Sequence, residues 1–132
     1  MATAGRTLRA RVHSRGNQRL DALLDFLAFA ARPMPLVSLL DNAPQRITSI
    51  FDADVCSIYL LEGEGDELVM RANVGLKGRA IGQVRLHVGE GITGMAVRLG
   101  RPISVAEAEH HGSYRHFAQL GEERFPVFLC AP

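Results

Sequence analysis

Two arms rich in β-branched and aromatic residues flank a short glycine-bearing link: VCSIYLLE (residues 55–62), GEGD (63–66) and ELVMRANVG (67–75). Such arms fit the pleated surface of a strand, and a four-residue loop returns the chain antiparallel to itself. The chain is thereby committed to an antiparallel sheet, and every other segment has to be placed around that hairpin. A third sheet segment follows at residues 82–88, where Val84, Leu86 and Val88 alternate with Gln83, Arg85 and His87, giving one buried face and one that is polar or lines a pocket. Gly89-Glu90-Gly91 ends it.

Upstream of the hairpin the periodicity is helical. From Asn17, a suitable N-cap, Leu20, Leu23, Leu24 and Leu27 recur at i, i+3, i+4 and i+7, and Phe26 and Phe29 widen the stripe through about Ala31. Arg32-Pro33-Met34-Pro35 stops this helix, because the residue before a proline is pushed out of the helical region. A second helix begins at Pro35 or Leu36 and aligns Leu36, Leu39, Leu40, Ala43, Ile47, Ile50 and Phe51; Pro44 inside it is expected to kink it. Downstream, residues 92–99 read as a short helix closed by Gly100 and residues 102–105 as a short strand. Residues 107–123 form a polar stretch with one helical turn near 113–117, and PVFLCA (126–131) reads as a buried strand. The expected class is α+β. The antiparallel sheet carries the two N-terminal helices on one face and the short helices of residues 91–99 and 113–117, with their loops, on the other.

Charge divides the chain unevenly. The first twenty residues hold Arg6, Arg9, Arg11, Arg15 and Arg19 and no acid, and since the whole chain sums to +1 the remainder is mildly acidic. Residues 1–17 lack apolar periodicity and contain Gly5, Ser14 and Gly16, so they are expected to be a flexible basic arm ahead of one domain over 18–132. The arm has one histidine, no aromatic residue and no DNA-binding motif, so no nucleic-acid partner is expected. Asp21 and Asp25 interrupt what would be the apolar core of a signal peptide, and Arg32, Pro33 and Pro35 break the best candidate for a membrane helix. Two cysteines, Cys56 and Cys130, lie outside any CxxC pair and fit small core residues in a cytoplasmic protein.

The series VCSIYLLE, GEGITG, RPISVAEAEHH and GEERFPVFLCAP resembles a GAF domain, the small-ligand and dimerisation module of many signalling proteins. The tail, GEERF-x-x-FL-x-x-P, is similar to the N-terminal GAF domain of the nitrogen-related Enzyme I, the phosphoenolpyruvate-protein phosphotransferase; nitrogen-fixation activators carry the next most similar domain. The resemblance runs from about Leu36 to Pro132. It implies a domain that continues past Pro132 through further strands and a C-terminal helix, and it places phosphohistidine chemistry in domains this chain lacks. The chain is expected to be no enzyme but a sensor of a small metabolite such as 2-oxoglutarate or glutamine, with no cofactor. The alternative is a ligand-free dimerisation module.

Candidate site residues follow from both sources. Gly89-Glu90-Gly91-Ile92-Thr93-Gly94 could hold an anion on backbone N–H groups, but it lacks the Lys-Ser/Thr of a P-loop and reads as a tight strand-to-helix turn. His110, His111 and His116, with Glu107 and Glu109, have no pair at the spacing that puts two imidazoles on one helical face, so no metal is expected. Arg85, Arg115 and Arg124 present planar guanidinium forks that suit a carboxylate, Arg124 being assigned instead to an ion pair with Glu122 or Glu123 that anchors the loop before the last strand. The resemblance implies that the loop carrying His111, Tyr114 and Arg115 closes over a ligand. The expected pocket residues are Arg85, Ile92, His111, Tyr114 and Arg115, in a space between the sheet and residues 107–123. The N-K-x-F-x-D-E pattern of cyclic-nucleotide-binding relatives and the bilin-attaching cysteine are both missing. A homodimer is expected, through packing of the first helix or exchange of an end strand with helix packing preferred, Phe26 and Phe29 supplying excess apolar surface.

Overall fold

The computed structural model describes the backbone of residues 4–77 and 79–132 and the side chains of residues 16–77 and 79–132. The chain divides into two compact units, Met1–Ala53 and Asp54–Pro132. The first holds helices α1 (Ala4–Ala30) and α2 (Leu36–Phe51). α1 starts well before Asn17, so no boundary separates residues 17 and 18; Leu8, Arg9, Ala10 and Arg11 are all strong helix formers and nothing there stops a helix. Of the expected arm, residues 1–3 lie outside the described residues.

The faces of α1 are the reverse of the expectation. Leu20, Leu24 and Leu27 are each 54% exposed and Leu23 is 37% exposed, whereas Phe26 and Phe29 are half-buried. Ala22 and Phe26 share a groove with Asp41, Gln45 and Ile50 of α2, and the Arg46 guanidinium lies 4.2 Å above the Phe29 ring. Two apolar stripes run along this helix, and the aromatic one, with larger rings and a cation to cover them, takes the α2 side. α2 begins directly after Pro35, runs on through a buried Pro44, and ends at Asp52 in the left-handed region, which aspartate tolerates. Its terminal Leu36 and Phe51 stay exposed.

In the second unit β1 (Cys56–Glu62), β2 (Glu67–Val74) and β3 (Arg85–His87) form an antiparallel sheet in that order, with a bulge between Ile58 and Tyr59. β3 is shorter than the 82–88 segment expected. Gly82, at φ +77°, turns the chain and donates its N–H to the Met70 carbonyl at 2.7 Å, so residues 81–83 leave the ladder. The alternation itself holds, since Val84 and Leu86 are buried and Gln83, Arg85 and His87 exposed. Helix α3 (Gly91–Leu99) follows, and β4 (Ile103–Val105) pairs antiparallel with β5 (Phe128–Cys130) in a separate two-stranded sheet. The strand expected to be buried at 126–131 is covered on one side only. Phe128 and Cys130 are half-buried, while Val127 and Leu129 are 72% and 71% exposed, the alternation of a sheet with a single covered face.

Residues 107–123 also depart from expectation. The turn at 113–117 is absent, and three 3₁₀ turns stand at Ala108–His110, Ala118–Leu120 and Glu122–Arg124. Glu122 accepts the Phe117 backbone N–H at 2.8 Å, giving that group a side-chain partner in place of a helical one. The core joins Met70, Ala80, Val84 and Leu120, with Tyr59, Leu76 and Phe117 packed around them. On the opposite face of the sheet Arg71 binds Glu62 through two 2.5 Å hydrogen bonds. By register this fork spans the Leu60–Val69 pair, and it holds the Glu62 carboxyl below the usual carboxylate range.

Candidate functional site

The glycine turn before α3 is built for packing. A Cβ on Gly94 would strike the His87 carbonyl oxygen, so only glycine lets the helix start this close to β3. Three donors at this turn are engaged: Gly89 N–H to Gly94 O (2.7 Å), Glu90 N–H to His87 O (2.9 Å) and His87 N–H to the Glu90 carboxylate (2.8 Å). With Glu90 placed at the helix start, a negative ligand there would meet like charge.

Of the five expected pocket residues, Ile92 and Arg115 stand at this turn. Ile92 is buried in α3, and Arg115 forms an ion pair with Glu90 while its Cβ lies opposite Gly91. Tyr114 hydrogen-bonds through its N–H to the His111 carbonyl and stacks on His116. His111 is turned inward on its own loop, with its Nδ1 accepting the Ser113 N–H at 3.2 Å. Arg85 stands apart from them. It sits on the polar face of β3 and pairs with Glu67 at 2.6 Å. Arg124 donates from Nε to the Gly121 carbonyl and lies over the Phe125 ring, contacts other than the ion pair with Glu122 or Glu123 expected of it.

The space between the sheet and residues 107–123 is occupied. Leu120 is 1% exposed against Met70, Ala80 and Val84, and Tyr59, Leu76 and Phe117 close around them. Burial pushes the Tyr59 hydroxyl well above its ordinary range, and the nearby Glu122 carboxylate adds to this. Glu122 is itself raised by burial, partly offset by the Phe117 N–H it accepts. Cys56 and Cys130 are free and half-buried, and burial raises both thiols, which keeps them protonated and poorly nucleophilic. Among the described residues no group of three His, Cys, Asp or Glu side chains is placed to hold a metal, and no helix is long and apolar enough to cross a membrane.

An open cleft lies instead beside the end of β2. It has a volume of about 780 Å³ and is lined by Asn73, Leu76, Arg79, Ala80, Ile81 and Gln83. That is within the roughly 300–1,000 Å³ common for small-molecule sites. Its wall is held by the Lys77 N–H to Leu120 O bond (3.0 Å), by Gly82 on Met70, and by the Gln83 and Val84 N–H groups on Ala80 O (3.0 and 3.1 Å). Of its polar lining residues only Gln83, on the polar face of the 82–88 segment, was singled out from the sequence. The available signal was the stretch GLKGRAIGQ, which sets three glycines and two cations between two strands.

Residues 35–132 match the family model of the GAF domain. A phosphoenolpyruvate-dependent phosphotransferase system protein of Escherichia coli is 33% identical over 114 residues, 86% of this chain and 15% of that protein. The chain thus spans a small part of the curated relatives it matches. The solved GAF domain from a phosphoenolpyruvate-protein phosphotransferase of Coxiella burnetii superposes with a TM-score of 0.75 at 31% identity, over 84% of this chain and 66% of that one. The corresponding Acinetobacter domain gives a TM-score of 0.70 at 24% identity, over 85% and 65%.

Proposed function

The chain belongs to the GAF domain family, and from that membership we propose that it is the sensory, non-catalytic module of a cytoplasmic phosphotransferase-system protein. It binds a small anionic or amide metabolite, with 2-oxoglutarate and glutamine the leading candidates in keeping with a nitrogen-regulatory role, and passes the bound state to an output domain. The observation that carries this reading is the open cleft, walled by a fixed turn and meeting the core at Ala80, which supplies a preformed concave site. Calorimetric titration of the folded chain with 2-oxoglutarate and with glutamine tests it. Saturable heat with one of them is expected, and none with either contradicts it.

The same module is a homodimer through α1, and its seam is the exposed leucine stripe rather than Phe26 and Phe29, which already face α2. A half-exposed leucine contributes about 1 kcal/mol when an interface covers it. Both protomers carry the change, so replacing Leu20, Leu24 and Leu27 by Ser is expected to weaken the dimer about ten-thousandfold. Light scattering at micromolar concentration reads the outcome. A wild-type mass of 14.4 kDa would contradict the dimer, and loss of the dimer on Phe128→Pro with the leucines intact would move the seam to the edge of β5.

A further inference from the structure

We propose that Arg79 is the anion-gripping residue of this domain, and that Asn73 and Gln83 complete a site for a small carboxylate in the cleft beside the end of β2; this rests on the sensor reading above. Of the other arginines near the sheets and their loops, four are engaged. Arg71 is held bidentately by Glu62, Arg85 by Glu67 and Arg115 by Glu90, while Arg124 lies on Gly121 and Phe125. Arg79 is exposed on the cleft wall and has no ion pair or hydrogen bond among the described residues. Its planar fork matches the two oxygens of a carboxylate.

The amides supply the remaining recognition. The Asn73 Oδ1 accepts the Ser57 hydroxyl at 3.3 Å, which orients its amide and leaves its N–H groups for a ligand. Gln83 brings an amide with both a donor and an acceptor, and it has no side-chain partner among the described residues. Leu76, Ala80 and Ile81, the last 56% exposed, give the aliphatic body of a ligand an apolar surface. Arg79 is the single cation in the lining, so the site suits one carboxylate, with the ligand's far end met by amides rather than by a second charge.

The test is calorimetry on the wild type and on the Arg79→Ala, Gln83→Ala and Arg115→Ala variants, with 2-oxoglutarate and glutamine as probes. Circular dichroism confirms folding, and the two cleft residues are exposed, so their loss leaves the core untouched. Arg79→Ala is expected to weaken the bound probe by about tenfold or more, the usual weight of a hydrogen-bonded charge. Gln83→Ala should weaken it less, and Arg115→Ala should leave it within about twofold. Undiminished binding by Arg79→Ala, or loss confined to Arg115→Ala, overturns the cleft assignment and leaves the sensor reading standing. Silence of the wild type toward both probes overturns both.

Discussion

Gly75→Ala is expected to lower the thermal midpoint of unfolding by about 15 °C, a loss of roughly 4 kcal/mol in a domain of this size. Two effects add. Gly75 sits at φ +92°, a conformation that costs a residue with a side chain about 1–2 kcal/mol. A Cβ built there would also collide with the backbone carbonyl of Asp54, at the entry to β1, and backbone cannot step aside as a flexible side chain can. Gly65 separates the two effects, because it has the same φ of +92° with nothing within 4 Å of its Cβ position. Gly65→Ala should therefore lose only about 1–2 kcal/mol. Equal losses in the two variants, read by thermal denaturation, would show that the contact with Asp54 does not matter.

Leu120→Ala is the second large effect. The side chain is 1% exposed and fixes residues 118–120 against Met70, Ala80 and Val84 on the sheet. Truncating a fully buried leucine costs about 2–5 kcal/mol, the higher figures belonging to sites that cannot collapse. Here Ala80 and Val84 belong to a turn tied down by backbone hydrogen bonds, which favours the upper half of that range. Denaturant unfolding should give a lower midpoint with an unchanged slope. A loss below about 1 kcal/mol would mean that residues 107–123 are not held by this contact. Leu129→Ala is the matching control, since that side chain is 71% exposed and its loss should be close to neutral.

The hairpin was legible in the sequence because β-branched arms and the GEGD link act locally, and the register Glu62↔Glu67 closes it at the link expected. The same holds for α3 and its Gly100 cap, where the left-handed φ of +62° needs no distant partner. What escaped was decided at longer range. Periodicity reveals that α1 has apolar stripes, but which stripe meets α2 depends on Phe29 finding Arg46 across the helix pair. The expected turn at 113–117 yields to the Glu122 carboxylate, five residues downstream, which takes the Phe117 N–H. The candidate site fared similarly. Ile92 and Arg115 do stand at one turn, but arginine type alone could not show that Glu90 and Glu67 hold Arg115 and Arg85. Arg79 lies in a loop without periodicity, and its position on a cleft wall follows from the Gly82 turn and its bond to Met70.

The sensor reading and the cleft assignment meet in one observation, the set of backbone amides whose resonances move when ligand is added. In nitrogen–proton correlation spectra of the wild-type chain titrated with 2-oxoglutarate and with glutamine, shifts are expected to concentrate at Asn73, Leu76, Arg79, Ile81 and Gln83 for the probe that binds, and to saturate with added ligand. Shifts confined to Ile92, His111, Tyr114 and Arg115, or no saturable shift with either probe, would contradict it.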